Sequence, residues 1–75
     1  MVNTTEGHLK RTRVNSSTIK SIGYNTQNGL LEIEFLNGDI HHYEKVQSDI
    51  YLRFIAAQSY TAYFNDIIRN KYTRI

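Results

Sequence analysis

The end of the chain interleaves cations with an aromatic ring, in the order Arg69, Lys71, Tyr72 and Arg74, and contains no acidic residue. Arginine and lysine neutralise phosphates, and an aromatic ring among them can stack on a nucleobase. Further cations that could contact phosphates lie toward the N-terminus: Lys10, Arg11, Arg13 and Lys20. If folding gathers both ends on one side, they form a basic patch for RNA or another polyanion. The alternative is that they are ordinary solvated termini.

A second group of residues with chemical potential is the pair His41-His42, which Tyr43 follows. Successive side chains of a strand point to opposite faces, so the two histidines cannot hold one metal ion together. The sequence lacks cysteine, which excludes disulfides, thiolate metal sites and cysteine nucleophiles. Serines and acids are present, but no pattern places a nucleophile beside a base on a rigid turn. We therefore predict no metal site, no cofactor and no enzymatic activity.

The size and composition of the chain limit what it can build. A chain of 75 residues with 40% hydrophobic side chains is typical of one small domain with a thin core, in which a deep, enclosed active site is not expected. No apolar run approaches the length of a signal peptide or the roughly 20 residues of a membrane span. We therefore expect a cytoplasmic protein without membrane association.

The elements that position these residues begin with a predicted sheet. Residues 1–13 are polar and lack periodicity, so we predict a flexible basic arm followed by a single domain over residues 14–75. Three segments of this domain have strand patterns, with the clearest alternation in LLEIEF. They are residues 17–24, 30–35 and 39–46, separated by turn signals at Asn28-Gly29 and Asn37-Gly38. Two consecutive hairpins predict a three-stranded antiparallel β-meander.

After Val46 the spacing of apolar residues becomes helical. Ser48 is a candidate N-cap for a first helix, and Ser59 for a second. The apolar stripe of the second helix is the better defined, with residues at i, i+3, i+4, i+7 and i+8: Tyr60, Tyr63, Phe64, Ile67 and Ile68. We predict an α+β domain in which two C-terminal α-helices, either separate or continuous with each other, pack on one sheet face.

The loop at Asn37-Gly38 decides which sheet face His41 and Tyr43 occupy. A two-residue type I′ turn places both side chains on the face of the glutamates of LLEIEF, away from the helices. A three-residue loop that begins at Leu36 turns both side chains into the core instead. We favour the two-residue turn, because asparagine and glycine both tolerate positive φ. In that register, His41 and Tyr43 are candidates for an exposed face that binds a base or a partner chain.

A family likeness is carried by three stretches of the sequence: VNSSTIKSIGY, LEIEFLNG and SYTAYFNDIIRNKYTRI. Together they resemble the KTSC domain, a short bacterial and phage module named for its occurrence at the C-terminus of some lysyl-tRNA synthetases. The resemblance covers roughly residues 14–75 and implies a small α+β domain, with RNA binding suggested by the synthetase context. The central Y-x-Y motif of the family falls on residues 41–43, with His41 in place of the first tyrosine. Thr61 stands where the family usually has glycine.

Two functional hypotheses follow. The first is a non-catalytic module that binds nucleic acid, and RNA in particular, through cations at both ends and a stacking Tyr72; the cations are Arg69, Lys71, Arg74, Lys20, Arg11 and Arg13. A competing interpretation of the C-terminus is that Tyr72 and Ile75 fold back onto the sheet and hold the chain end down. The second hypothesis is a module of a bacterial or phage regulatory factor that binds a protein partner, a nucleotide or a second copy of itself.

Overall fold

Four antiparallel strands form the first half of the chain in a computed structural model that describes residues 11–75. They are β1 (Arg11–Arg13), β2 (Ile19–Asn25), β3 (Leu30–Phe35) and β4 (Ile40–Tyr43). Within the described residues the strands lie side by side in sequence order. The alternating LLEIEF segment forms β3 as its pattern predicts.

Strand β1 corrects the prediction of three strands. Arg11–Arg13, which we assigned to the arm, pairs antiparallel with β2, and Arg11 lies opposite Gly23. Since Gly23 has no side chain, Arg11 reaches across β2 to Glu32 on β3, with 2.7 Å between Nε and the carboxylate. This ion pair and the backbone pairing stabilise the short polar segment Arg11–Arg13 as a strand. The rest of the predicted arm, including Lys10, lies outside the described residues.

The hairpin between β3 and β4 has the register that we did not favour. Gly38 has a φ of +97°, whereas Asn37 is not in the left-handed region. The Gly38 amide donates to the Phe35 carbonyl at 3.0 Å, and the Phe35 amide donates to the Asp39 carbonyl at 2.8 Å. These bonds close a three-residue loop in which only the glycine needs positive φ. The prediction of a two-residue turn was therefore wrong.

The observed register moves His41 and Tyr43 to the helix side of the sheet. His41 pairs with Ile33 and Tyr43 pairs with Leu31. Tyr43 is only 3% exposed, so its ring belongs to the core. The prediction that both residues lie on an exposed sheet face was therefore wrong. The physical reason is burial, since this register removes a large aromatic ring from water and leaves the glutamates of β3 on the other face.

Two separate helices follow the sheet. Helix α1 spans Ser48–Ile55 and begins one residue after Gln47, whose side chain makes no capping bond. Helix α2 covers residues 60–71 in three consecutive parts: α-helical Tyr60–Tyr63, π-helical Phe64–Ile68 and α-helical Arg69–Lys71. Ser59 caps α2 as predicted, because its hydroxyl accepts a bond from the Ala62 amide at 3.1 Å. A π-helical stretch within an α-helix is uncommon and occurs frequently at functional sites.

Both helices contribute to one core on the inner sheet face, the face on which Tyr43 lies. Phe54 of α1 and Phe64 and Ile68 of α2 are buried in it. The sheet supplies the other main side chains of the core: Ile19, Ile22, Leu31, Ile33 and Tyr43. The opposite face, which carries Glu32 and Glu34, is called the outer face below. This arrangement confirms an α+β domain with an antiparallel sheet and two helices.

The C-terminal tail, residues 72–75, folds back along β4. Its backbone becomes extended at Tyr72, with φ −116° and ψ 153°. Arg74 forms a β-bridge with Tyr43, and the Ile75 amide donates to the His42 carbonyl at 2.8 Å. The tail thereby lies against the edge of β4 and satisfies backbone groups there. The interpretation that the chain end is held on the sheet is confirmed.

Candidate functional site: a pocket beside the C-terminal tail

An open pocket of about 480 Å³ lies between the tail, β4, helix α2 and the β3–β4 loop. We call it the C-terminal pocket, and it is lined by Phe35, Asn37, Asp39, His41, Tyr43, Phe64, Arg69, Tyr72 and Arg74. Its volume falls in the range of small-molecule sites, which is roughly 300–1,000 Å³. Three residues singled out from the sequence, Arg69, Tyr72 and Arg74, therefore meet at one pocket. Lys71 projects nearby, with its ammonium 5.9 Å from the centroid of the Tyr72 ring.

The wall of the C-terminal pocket contains a cluster of rings from three elements. The His41 ring lies 4.6 Å from the Phe35 ring between centroids, and the Phe35 ring lies 5.4 Å from the Phe64 ring at an interplanar angle of 72°. Phe64 also contacts Tyr43 edge to face, at 6.0 Å. Edge-to-face packing fixes the orientation of these rings. The pocket therefore has a rigid apolar wall against which a flat ligand ring can pack.

The arginines of the C-terminal pocket are not neutralised by the part of the chain that the structure describes. Arg69 and Arg74 are both exposed, and neither forms an ion pair with a carboxylate of residues 11–75. Asp39 also lines the pocket, but it is outside ion-pair distance of both arginines. Two guanidinium groups beside an apolar wall favour a ligand that carries both an anion and an aromatic ring.

Two buried polar atoms in the wall lack a hydrogen-bond partner within residues 11–75: Nδ1 of His41 and the hydroxyl of Tyr72. A buried polar atom without a hydrogen-bond partner costs free energy. Burial lowers the pKa of His41, the positive charge of Arg74 lowers it further, and Asp39 opposes both effects. His41 is therefore neutral near pH 7, with one ring nitrogen that donates and one that accepts.

Burial and the charges of the pocket arginines also affect the pKa of the Tyr43 hydroxyl. Burial raises the pKa of its hydroxyl, while the charges of Arg74 and Arg69 act in the opposite direction. The side chain therefore stays neutral over the physiological range. It contributes shape and one hydroxyl to the pocket and no charge.

The cations near the N-terminus do not join this pocket. Arg11 forms ion pairs with Glu32 at 2.7 Å and with Glu34 at 3.1 Å, and Lys20 lies 3.8 Å from Glu34. These contacts are on the outer face, where Glu32 is only 6% exposed and also contacts His42. Arg13 lies on β1, at the opposite side of the sheet from the tail. Among the described residues, the cations of the two ends therefore do not form one basic patch.

Four residues that the sequence did not identify as binding residues complete the C-terminal pocket: Phe35, Asn37, Asp39 and Phe64. Phe35 and Phe64 have the spacing of core residues, and both indeed pack against the core. Their second role at a pocket wall depends on the π-helical turn and the loop register, which leave no local signal. Among residues 11–75 there is no cluster of three metal-ligating side chains, and no helix there is long and apolar enough to cross a membrane.

Comparisons with known proteins agree with this architecture. Residues 15–72 match the model of the KTSC domain family. An uncharacterized protein of Stutzerimonas stutzeri (strain A1501) is 30% identical over 66 residues, which cover 88% of this chain and 93% of that protein. The crystal structure of a KTSC domain protein from Yersinia pestis superimposes with a TM-score of 0.85 at 33% identity, covering 89% of this chain and 94% of that one.

Proposed function

Since the chain belongs to the KTSC domain family, we propose that it is a non-catalytic module that binds single-stranded RNA at the C-terminal pocket. The observation that carries this proposal is the pairing of Arg69 with Arg74 at an aromatic wall, without a neutralising carboxylate among the described residues. Guanidinium groups bind phosphate in a bidentate manner, and aromatic walls take bases of any sequence. An RNA strand presents both groups at every nucleotide.

In this proposal, the cations and the rings of the C-terminal pocket contact different parts of a nucleotide. Arg69 and Arg74 contact phosphate oxygens, and Lys71 adds a third positive charge at the rim. One base or sugar packs against the rings of His41 and Tyr72. Because His41 is neutral, it can act as an acceptor as well as a donor.

The charge distribution favours a short contact with one strand over an extended contact with a duplex. On the outer face, Arg11 and Lys20 are occupied by Glu32 and Glu34. A duplex would need a broad cationic surface and would not place its stacked bases in a pocket. With the three C-terminal cations as the phosphate contacts, the logarithm of the binding constant should fall with the logarithm of salt concentration at a slope of about −2.

The test is fluorescence anisotropy with a labelled single-stranded RNA of about ten nucleotides, titrated at several salt concentrations. Arg74→Gln should weaken binding and make the salt slope shallower by about 0.7, because one phosphate contact is lost. Arg53→Gln is the matched control, since Arg53 is an exposed cation on α1 that does not line the C-terminal pocket. Equal slopes for the two variants, or no binding by the unaltered protein at low salt, would contradict the proposal.

A partner chain is the second candidate function, and two exposed apolar residues favour it. Leu36 and Ile40, at the β3–β4 hairpin, are 56% and 42% exposed. Together they give a small apolar surface on which a second copy or another protein could pack. Sedimentation velocity over a hundredfold concentration range separates the candidates, because a chain that stays monomeric throughout gives no support to self-association.

A further inference from the structure

The C-terminal pocket continues into a second pocket that carries no charge. This neighbour has a volume of about 370 Å³ and shares the residues Phe35, Asn37 and Phe64 with the C-terminal pocket. We call it the polar pocket, and its remaining lining residues are Ser17, Thr18, Thr61 and Asn65. The two pockets therefore meet at the Phe35–Phe64 ring pair and form one groove with a cationic end and a neutral end.

A network of hydroxyl groups at the polar pocket links Ser16 to Thr61 and Thr18, two residues of the pocket lining. Ser16 Oγ accepts from the backbone amides of Thr18 and Ile19, both at 3.2 Å, which uses both of its lone pairs. The Ser16 hydroxyl is therefore the donor to Thr61 Oγ1, 3.4 Å away. The hydroxyls of Thr61 and Thr18 share a further hydrogen bond, in which either can be the donor. In either direction the exposed Thr18 hydroxyl keeps a lone pair that can accept a hydrogen bond in the pocket.

The side-chain amide of Asn65 is a second polar group in the lining of the polar pocket. Its amide makes no side-chain hydrogen bond with the other described residues, whereas the amide of Asn37 is engaged with Asp39 at 2.9 and 3.3 Å. Asn65 lies in the π-helical part of α2, directly after Phe64. An amide presents a donor beside an acceptor, which matches the polar edge of a nucleobase. The lack of a cation in the lining argues against a phosphate at this end.

We propose that the polar pocket receives the base that follows the nucleotide in the C-terminal pocket, and that Asn65 and Thr18 determine which bases are accepted. This inference rests on the proposed binding of single-stranded RNA. Phosphate contacts at Arg69 and Arg74 hold the strand and carry no sequence information, whereas hydrogen bonds to a base edge do. The cationic end of the groove thereby provides affinity, and the neutral end provides specificity for the base.

The experiment compares three labelled oligoribonucleotides of about ten nucleotides, made only of adenosine, cytidine or uridine, by competition anisotropy. The unaltered protein should prefer one of them by about tenfold, which is the usual worth of a good amide–base pair. Asn65→Ala should bring the three affinities to within about twofold of one another, and Thr18→Val should reduce the preference in the same direction. Asn70→Ala is the matched control, because Asn70 is an exposed asparagine of α2 that lines neither pocket.

The possible outcomes separate the inference from the proposed function. If Asn65→Ala keeps the base preference of the unaltered protein while Arg74→Gln weakens all three oligonucleotides equally, the polar pocket does not read bases and the binding proposal stands. If the unaltered protein shows no preference at all, the inference is equally overturned. If no oligonucleotide binds, both fail together. Thermal melting of each variant shows whether a loss of preference reflects a loss of folding.

Discussion

The ion pair between Arg11 and Glu32 on the outer face gives a quantitative prediction about the stability of the sheet. Glu32 is 6% exposed, and its carboxylate lies 2.7 Å from Arg11 Nε and 3.0 Å from His42 Nε2. Removal of one partner of a fully buried pair costs roughly 3–5 kcal/mol. This figure is an upper bound here, because the Arg11 side chain is 28% exposed and Glu32 still contacts His42 after Arg11 is removed. We expect Arg11→Met to lower the free energy of unfolding by about 2 kcal/mol.

A double-mutant cycle measures the interaction energy between Arg11 and Glu32. In Glu32→Leu the guanidinium of Arg11 loses its shortest contact, and we expect a loss of about 2–3 kcal/mol. In the double variant neither charge is left without its partner, and two apolar side chains pack on the outer face. The double variant should therefore be more stable than the sum of the single losses predicts, by about 1–2 kcal/mol.

The assay is urea denaturation followed by circular dichroism, with the slope of the unfolding free energy against urea checked for constancy. Glu34→Gln is the matched control, because the Glu34 side chain is 25% exposed and its nearest cation is farther away, at 3.1 Å. It should cost less than about 1 kcal/mol. If the losses of Arg11→Met and Glu32→Leu simply add in the double variant, the pair contributes nothing and the reason given for strand β1 is wrong.

Three further outcomes are expected in the same assay. Gly29→Ala should cost more than Gly38→Ala: both glycines have positive φ, but a Cβ at Gly29 would lie 3.0 Å from a backbone oxygen, whereas at Gly38 it meets nothing within 4 Å. We expect about 1 kcal/mol for Gly38 and about 2–3 kcal/mol for Gly29. Ser59→Ala should cost about 1 kcal/mol, since it removes the cap of α2. Because burial lowers the pKa of His41 below 6.5, the unfolded chain binds more protons just below that pH. Stability should therefore rise as pH increases to about 7, and His41→Tyr should lack this rise.

Strand β3 and the start of α2 were predictable because their signals are local. The alternation of LLEIEF specifies two faces within six residues, and it matches the observed Leu30–Phe35. Ser59 caps the helix through an amide three residues away. Neither signal depends on a distant part of the chain, and for that reason each can be recognised in the sequence.

The hairpin register was not predictable from the turn residues. Asn37-Gly38 suits a two-residue turn and also the last two positions of a three-residue loop, so the local preferences are nearly balanced. The balance is decided by the core, in which Tyr43 packs against Phe64 of a helix that follows about twenty residues later. Strand β1 was not predicted for the same reason, because Glu32, the ion-pair partner of Arg11, is distant from it in the sequence. In both cases the decisive contact is non-local.

The two interpretations of Tyr72, a binding residue or part of a docked tail, are compatible, because docking of the tail builds the pocket. In an extended segment, alternate residues face the same side, so Tyr72 and Arg74 face one way while the intervening residue faces the other. The bond from the Ile75 amide to the His42 carbonyl fixes that orientation relative to β4. Arg74 is thereby placed in the pocket lined by Arg69, which extends from the end of α2. Paired arginines at this site therefore depend on the chain end folding back, and a tail free in solvent would leave Arg69 alone beside the aromatic wall.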